Sequence, residues 1–341
     1  MPSPSQARFV FMGSDEIAVP VLNFLAAESD SVKLVGLYTQ PDRARGRGKK
    51  IQPNSIKQWA MEHEVPVFQP EKFDDHAIQK LADLKSGVIV VMAYGHLLPQ
   101  PVLDIPAFGI FNIHTSLLPE LRGASPVETA VASGMSMSGV TLMKLVLKMD
   151  AGPICDQQVV DIDENETGGS YRAKLGQAGP EILSRNLPSI IAGTINETSQ
   201  EESKATYCRL LVKQDGQLDF SKPARELAER VRGLFPWPGC TVVIGKTRLK
   251  VGMAGWSPEN ANSAPGTIVQ ADNQIVSVAT EEGTFHITQF QKPGGRLLGV
   301  GEFLRGFPIE VGQQFISQEM HGLVSMKPVS HKRVFQLYQK S

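Results

Sequence analysis

From Val88 to Met92 the chain reads Val-Ile-Val-Val-Met, with no polar residue interrupting the run. Side chains of a strand point to opposite faces in turn, so an unbroken apolar run belongs where both faces are covered, inside a parallel sheet flanked by helices. The first two hundred residues repeat that setting. Strands are expected over Arg8–Met12, Val32–Thr39, Gly87–Met92, Phe108–His114 and Val140–Leu147, and helices over Ile17–Ala27, Gln52–Glu64, Asp74–Leu84, Glu128–Ala132 and Gly168–Ala192. Strand and helix in this order imply an α/β fold: a doubly wound, mostly parallel sheet, Rossmann-like, with right-handed crossovers.

Near Leu210 the texture changes. One helix is expected over Pro223–Arg232, followed by short β-rich pieces (Thr241–Ile244, Arg248–Val251, Thr267–Val269, Ile275–Ala279, Thr284–Ile287) between Gly, Asn and Pro turns. Regular short strands with turn signals point to a small β-barrel. The polar stretch Asn196–Ala205 reads as a connection. With 341 residues to distribute, the expected organisation is a first domain over 1–195, a linker over 196–209, a barrel domain over 210–320 and a basic tail over 321–341.

The formal net charge of −1 hides an asymmetry: residues 1–205 carry 18 Lys and Arg against 24 Asp and Glu, residues 206–341 carry 16 against 11. That pattern suits one part doing chemistry and another meeting a polyanion. The cysteines Cys155, Cys208 and Cys240 are widely spaced and odd in number, which disfavours a disulfide framework or a zinc site and favours small buried residues. The beginning of the chain lacks a signal-peptide pattern, and no apolar run approaches a membrane span, so a cytoplasmic monomer is expected.

Several chemistries lack their motifs. Gly13 stands alone after the first strand, without the glycine pattern that lets a backbone approach a dinucleotide pyrophosphate. Gly245-Lys246-Thr247 imitates the end of a phosphate-binding loop, but strands rather than a helix flank it, so a hairpin turn is expected. The seven histidines include no metal-ligand spacing, and no Gly-x-Ser-x-Gly elbow occurs.

The constellation with chemical content is Asn112-Ile113-His114-Thr115-Ser116-Leu117-Leu118-Pro119-Glu120-Leu121-Arg122-Gly123. Asn112 and His114 stand two apart at the end of a strand, so carboxamide and imidazole face one space. In open α/β sheets, ligands bind outside the carboxyl ends of the strands. Asp150 follows the next strand, before Ala151-Gly152-Pro153; if the two strands are neighbours, its carboxylate reaches the imidazole and orients it.

The ordered run Asn-x-His-x-Ser-Leu-Leu-Pro-x-x-Arg-Gly, followed by Met149-Asp150-x-Gly-Pro, resembles the signature of the tetrahydrofolate-dependent formyltransferases. The resemblance covers about residues 8 to 315. It implies Asn112, His114 and Asp150 as catalytic residues, Ser116, Leu117, Leu118 and Pro119 as lining a folate site with Tyr94 and Gly95, and 10-formyltetrahydrofolate as formyl donor without a metal. An oxyanion would be held by Asn112 and protonated His114, and His114 would shuttle protons. The same residues would serve a sugar amine as acceptor.

The stretch 39–50 carries Arg43, Arg45, Arg47, Lys49 and Lys50 around two glycines. It is similar to the family pattern Thr-Gln-Pro-Asp-Arg-x-x-Gly-Arg-Gly-Lys-Lys of members that act on initiator methionyl-tRNA. By that resemblance Arg47 is a wedge into the acceptor stem, with Arg43, Lys49 and Lys50 contacting phosphates. The segment Leu234–Gly239 and the strands beyond it resemble the family's OB-like β-barrel, a common nucleic-acid platform. Two departures stand out: Gly13-Ser14-Asp15 replaces Gly-Thr-Pro, and Phe235 replaces an Asn.

Overall fold

The computed structural model describes residues 6–45 and 50–329. Seven strands form one sheet, in the order Ile154–Asp161, Met137–Lys144, Ile110–His114, Val88–Met92, Ala7–Gly13, Val32–Tyr38, Val67–Phe68. The five strands from Ile110–His114 to Val67–Phe68 are parallel. Met137–Lys144 runs antiparallel to Ile110–His114, with Asn112 opposite Met143 and His114 opposite Thr141. Val88–Met92 is buried along its whole length, as its composition requires.

From Ala7–Gly13 the chain builds outward through Val32–Tyr38 and Val67–Phe68, then returns to Val88–Met92 on the other side of the first strand. The order therefore reverses between Ala7–Gly13 and Val88–Met92, the position where an open α/β sheet leaves a crevice at its carboxyl ends. The strand Ile154–Asp161 was not expected. Half of its residues are polar and all are half-buried or exposed, so it lacks the apolar run that marks a central strand.

Two α-helices start on side chains that satisfy a first-turn N–H group: Asn54 accepts from Lys57 N at 2.9 Å and Asp74 from Ala77 N at 3.0 Å. The long helix Gly168–Ala192 contains Gly176 and Gly179 where it meets the first helical region. A Cβ on Gly179 would stand 2.7 Å from Val21 Cγ2, and one on Gly176 3.1 Å from Ile17 O. Helix propensity yields there to close packing.

The chain forms two compact units, one of residues 1–122, 138–160 and 172–205, the other of residues 123–137, 161–171 and 206–341. The second contains two four-stranded sheets, antiparallel wherever the pairing is resolved, which form the barrel-like C-terminal part. Cys240–Ile244 and Thr247–Val251 are joined by a two-residue turn with Gly245 at φ +55°, so Gly245-Lys246 is the expected hairpin. Its core gathers Phe220, Leu227, Val278, Phe285, Phe290 and Phe303. The helix Pro126–Ala132 packs on Ala224–Gly233 within this unit. Beyond residue 320, Leu323 is buried and Val324-Ser325 pair with Tyr207-Cys208. Cys208 and Cys240 are buried, and Cys155 is half-buried. Among the described residues no helix is long and apolar enough to cross a membrane.

Candidate active site

Asn112 and His114 stand at the carboxyl end of Ile110–His114, 9% and 7% exposed. The carboxamide of Asn112 makes no hydrogen bond to another described residue. The imidazole of His114 has a protein group at each nitrogen. Nε2 lies 3.1 Å from the carbonyl oxygen of Leu121, and Nδ1 lies 3.8 Å from Asp150 Oδ1. A carbonyl only accepts, so the first contact selects the tautomer with hydrogen on Nε2. The second distance suits an ion pair and exceeds hydrogen-bond reach.

Asp150 arrives by a route different from the expected one. The strand before it ends at Lys144, not Leu147, because Lys144 N bonds Pro153 O at 3.0 Å and closes a loop over 145–152. Gly152 is obligatory in that loop, since a Cβ there would stand 1.9 Å from Lys144 O. Asp150 adopts φ +49° and Leu121 φ +53°. Both residues that meet the imidazole thus occupy a left-handed conformation costing on the order of 1–3 kcal/mol for a non-glycine residue, which the surrounding structure must hold in place.

The Ser116–Pro119 loop is pinned by a residue the sequence reading passed over. Thr141 Oγ1 donates to Ser116 O at 2.7 Å and accepts from Leu118 N at 3.1 Å, while Gln157 Nε2 reaches Leu118 O at 2.9 Å and Thr141 Oγ1 at 3.0 Å. Ser116 is fully buried and its hydroxyl donates to Glu120 O at 2.6 Å. Leu117 and Pro119 are half-buried, Leu118 is buried, and the Leu118–Pro119 bond is cis. Thr141→Val keeps the shape and removes the hydroxyl. Two buried backbone groups lose a partner, and the expected loss of stability is about 1–3 kcal/mol in urea denaturation. An unchanged midpoint would show that the hydroxyl holds nothing.

At the crevice, Ser14 accounts for one sequence departure. Its Oγ donates to Tyr94 O at 3.1 Å and accepts from Gln40 N at 3.0 Å, joining the ends of three neighbouring strands. Asp15 caps the short helix Glu16–Ala18 through Ile17 N at 3.1 Å and pairs with Arg172 at 3.0 Å. Beside them lies a cavity of about 450 Å³ lined by Ser14, Asp15, Glu16, Gln52, Ser55 and Gln58. The Tyr94 ring is buried in the core, and Gly95 is exposed at φ +79°. The hydroxyls of Tyr38 and Tyr94 and Nε2 of His96 are buried without a hydrogen-bond partner among the described residues. Burial first, and the Arg43 guanidinium second, hold the His96 imidazole below its usual range, so it is neutral at pH 7.

The basic stretch, read as a loop, has strand arms: Arg43–Arg45 pairs antiparallel with Lys50–Gln52, Arg43 opposite Gln52 and Arg45 opposite Lys50. Arg43 is exposed and its Nη2 reaches Gln40 Oε1 at 3.4 Å. Arg47 and Lys49 lie outside the described residues.

A carboxamide, an imidazole and a carboxylate at the carboxyl ends of a Rossmann-like sheet equip a group transferase acting through acid–base and electrostatic help. The chain belongs to the formyl transferase family: the formyl transferase model matches residues 7–187, and the formyl transferase C-terminal domain model matches residues 210–308. It is 38% identical over 307 residues to the methionyl-tRNA formyltransferase of Bacillus subtilis (strain 168), covering 89% of this chain and 96% of that one. It is 40% identical over 300 residues to the enzyme of the same name from Ectopseudomonas mendocina (strain ymp), covering 88% and 94%. Among solved structures it resembles the N-formyltransferase of Helicobacter canadensis, in complex with folinic acid and dTDP-3-aminofucose. The TM-score is 0.65 at 18% identity, over 84% of this chain and 100% of that one, a likeness of fold.

Proposed function

We propose that the chain transfers the formyl group of 10-formyltetrahydrofolate to the free amino group of methionyl-tRNA, with Asn112, His114 and Asp150 as its catalytic residues. The observation that carries the reading is the meeting of His114 and Asp150, 3.8 Å apart, with Asn112 on the same strand face. The acceptor amine arrives as an ammonium. An ammonium seated against both Nδ1 and Oδ1 donates one N–H to each, and the transfer of its proton to Nδ1 uncovers the nucleophilic lone pair. Attack on the formyl carbon gathers negative charge on the formyl oxygen, to which the Asn112 N–H groups donate. Collapse expels N10 of the folate, which takes the proton back from His114, while the adduct nitrogen sheds its remaining extra proton to solvent and leaves a neutral amide.

The unsatisfied Nε2 of His96, beside the crevice loop, offers a polar partner to a heteroaromatic ring such as a pterin. Ser116–Pro119, Tyr94 and Gly95 form the donor side of the site. The basic stretch of the sequence with Arg43, Arg47, Lys49 and Lys50 is the tRNA contact, and the cavity beside Gln52 receives the acceptor end. The basic excess of residues 206–341 supplies a second phosphate contact. The proteins at 38–40% identity carry the tRNA name, which favours that acceptor over a sugar amine.

Purified protein given 10-formyltetrahydrofolate and either methionyl-tRNA or a nucleotide-linked amino sugar tests the reading. Formylation of the tRNA alone is expected; formylation of the sugar alone overturns it. Arg47→Ala is expected to lower kcat/KM for tRNA on the order of tenfold, and Lys49→Ala to reduce its log–log salt slope by about 0.9, the contribution of one phosphate contact. Unchanged kcat/KM in Arg47→Ala would remove the wedge, and an unaltered slope in Lys49→Ala would remove Lys49 from the interface.

A further inference from the structure

The segment after the long helix, polar enough to read as a plain connection, is fastened along the loop that carries Asp150. Thr198 and Ile154 exchange both backbone hydrogen bonds at 2.8 Å, Glu197 pairs with Lys144 at 2.7 Å, and Glu202 pairs with Lys148. Between these, Gln200 Nε2 donates to Asp150 O at 2.9 Å and to Gly152 O at 2.7 Å. Its Oε1 accepts from Arg122, from Nε at 3.1 Å and Nη2 at 2.8 Å. The Arg122 guanidinium is fully buried, and its Nη1 bonds Glu202 at 3.0 Å. Arg122 directly follows Leu121, whose carbonyl meets His114 Nε2.

We propose that Gln200 and Arg122 are positioning residues for the catalytic pair. The buried guanidinium and the carboxamide tie together the two backbone segments that present the Leu121 carbonyl and the Asp150 carboxylate to the two nitrogens of one imidazole. The arrangement answers a need set by the backbone, since Leu121 and Asp150 both hold left-handed conformations and neither would stay there unaided. The carboxamide suits the task because it accepts and donates at once. Arg122 offers only donors and the backbone of 150–152 offers carbonyls, so a group with one acceptor face and one donor face is required between them. The buried guanidinium is costly to leave without its partners, which couples the two segments tightly.

This inference rests on the catalytic reading of His114 and Asp150, and its test has an arm that needs no acceptor. Gln200→Ala removes both faces. Gln200→Glu keeps the acceptor for Arg122 and sets a carboxylate oxygen against two carbonyl oxygens. Both variants are expected to lose on the order of 10²-fold in kcat, the effect of a displacement of about 1 Å at the reacting groups. The KM for 10-formyltetrahydrofolate should change by less than about threefold, since the loss falls on the transition state. Ring ¹⁵N shifts of His114 in the folded variants, without substrate, should pass from the Nε2–H tautomer to a mixture. Normal kcat in Gln200→Glu, or wild-type His114 ring shifts in either variant, overturns the proposal. If the acceptor reading failed, the ring shifts would still respond.

Discussion

Replacing His114 by Ala is expected to lower kcat for formyl transfer by about 10²–10⁴-fold, the usual worth of a positioned acid–base group. Nδ1 lies beside the Asp150 carboxylate, and Nε2 is committed to the Leu121 carbonyl; in the proposed mechanism the first nitrogen exchanges protons while the second fixes the ring. The substitution removes the proton carrier and leaves the Ser116–Pro119 loop intact, because that loop hangs on Thr141 and Gln157. Donor affinity, measured by calorimetry with 5-formyltetrahydrofolate as a non-reacting mimic, should stay within about threefold of the parent. Turnover within tenfold of the parent would take His114 out of the chemistry.

Asn112→Leu tests the other half of the site. The shape is nearly kept and the N–H donors vanish, so an oxyanion gathering on the formyl oxygen loses its fixed hydrogen bonds. Removing one such donor costs about 10²–10³-fold in kcat. The folded state should tolerate the change, because the Asn112 carboxamide is engaged by no other described residue. The double variant with His114→Ala should fall by less than the product of the two losses, since both groups act on one transition state. A stable Asn112→Leu protein with parental kcat would refute the oxyanion role.

Part of the candidate site's geometry could be read from residue order because its side chains stand at or just after strand ends. Asn112 and His114 share a face by the two-residue period of a strand, and the hairpin at Gly245 follows from a turn flanked by strand-like residues. Asp150 was found by its place after a strand, although the expected strand ran three residues too far. Its apolar residues Leu145, Val146 and Leu147 resemble strand residues, yet Val146 and Leu147 are exposed in the loop. The edge strand Ile154–Asp161 and the helix Val300–Gly306 went unread because neither has a long apolar period.

The alternation of buried strands and amphipathic helices, the carboxamide–imidazole pair and the basic Gly-punctuated stretch were determined by the amino-acid sequence alone, because each depends on spacing within one segment. The antiparallel entry of Met137–Lys144, the left-handed turns at Leu121 and Asp150 and the clasp of Arg122 by Gln200 were decided only in three dimensions. These features join positions from 27 to 78 residues apart, such as His114 with Thr141 (27) and Arg122 with Gln200 (78), or fix a backbone angle that no neighbouring residue specifies. Hydrophobic period carries no record of such pairings; they appear once the sheet and the returning segment have brought the partners within a few ångströms of one another.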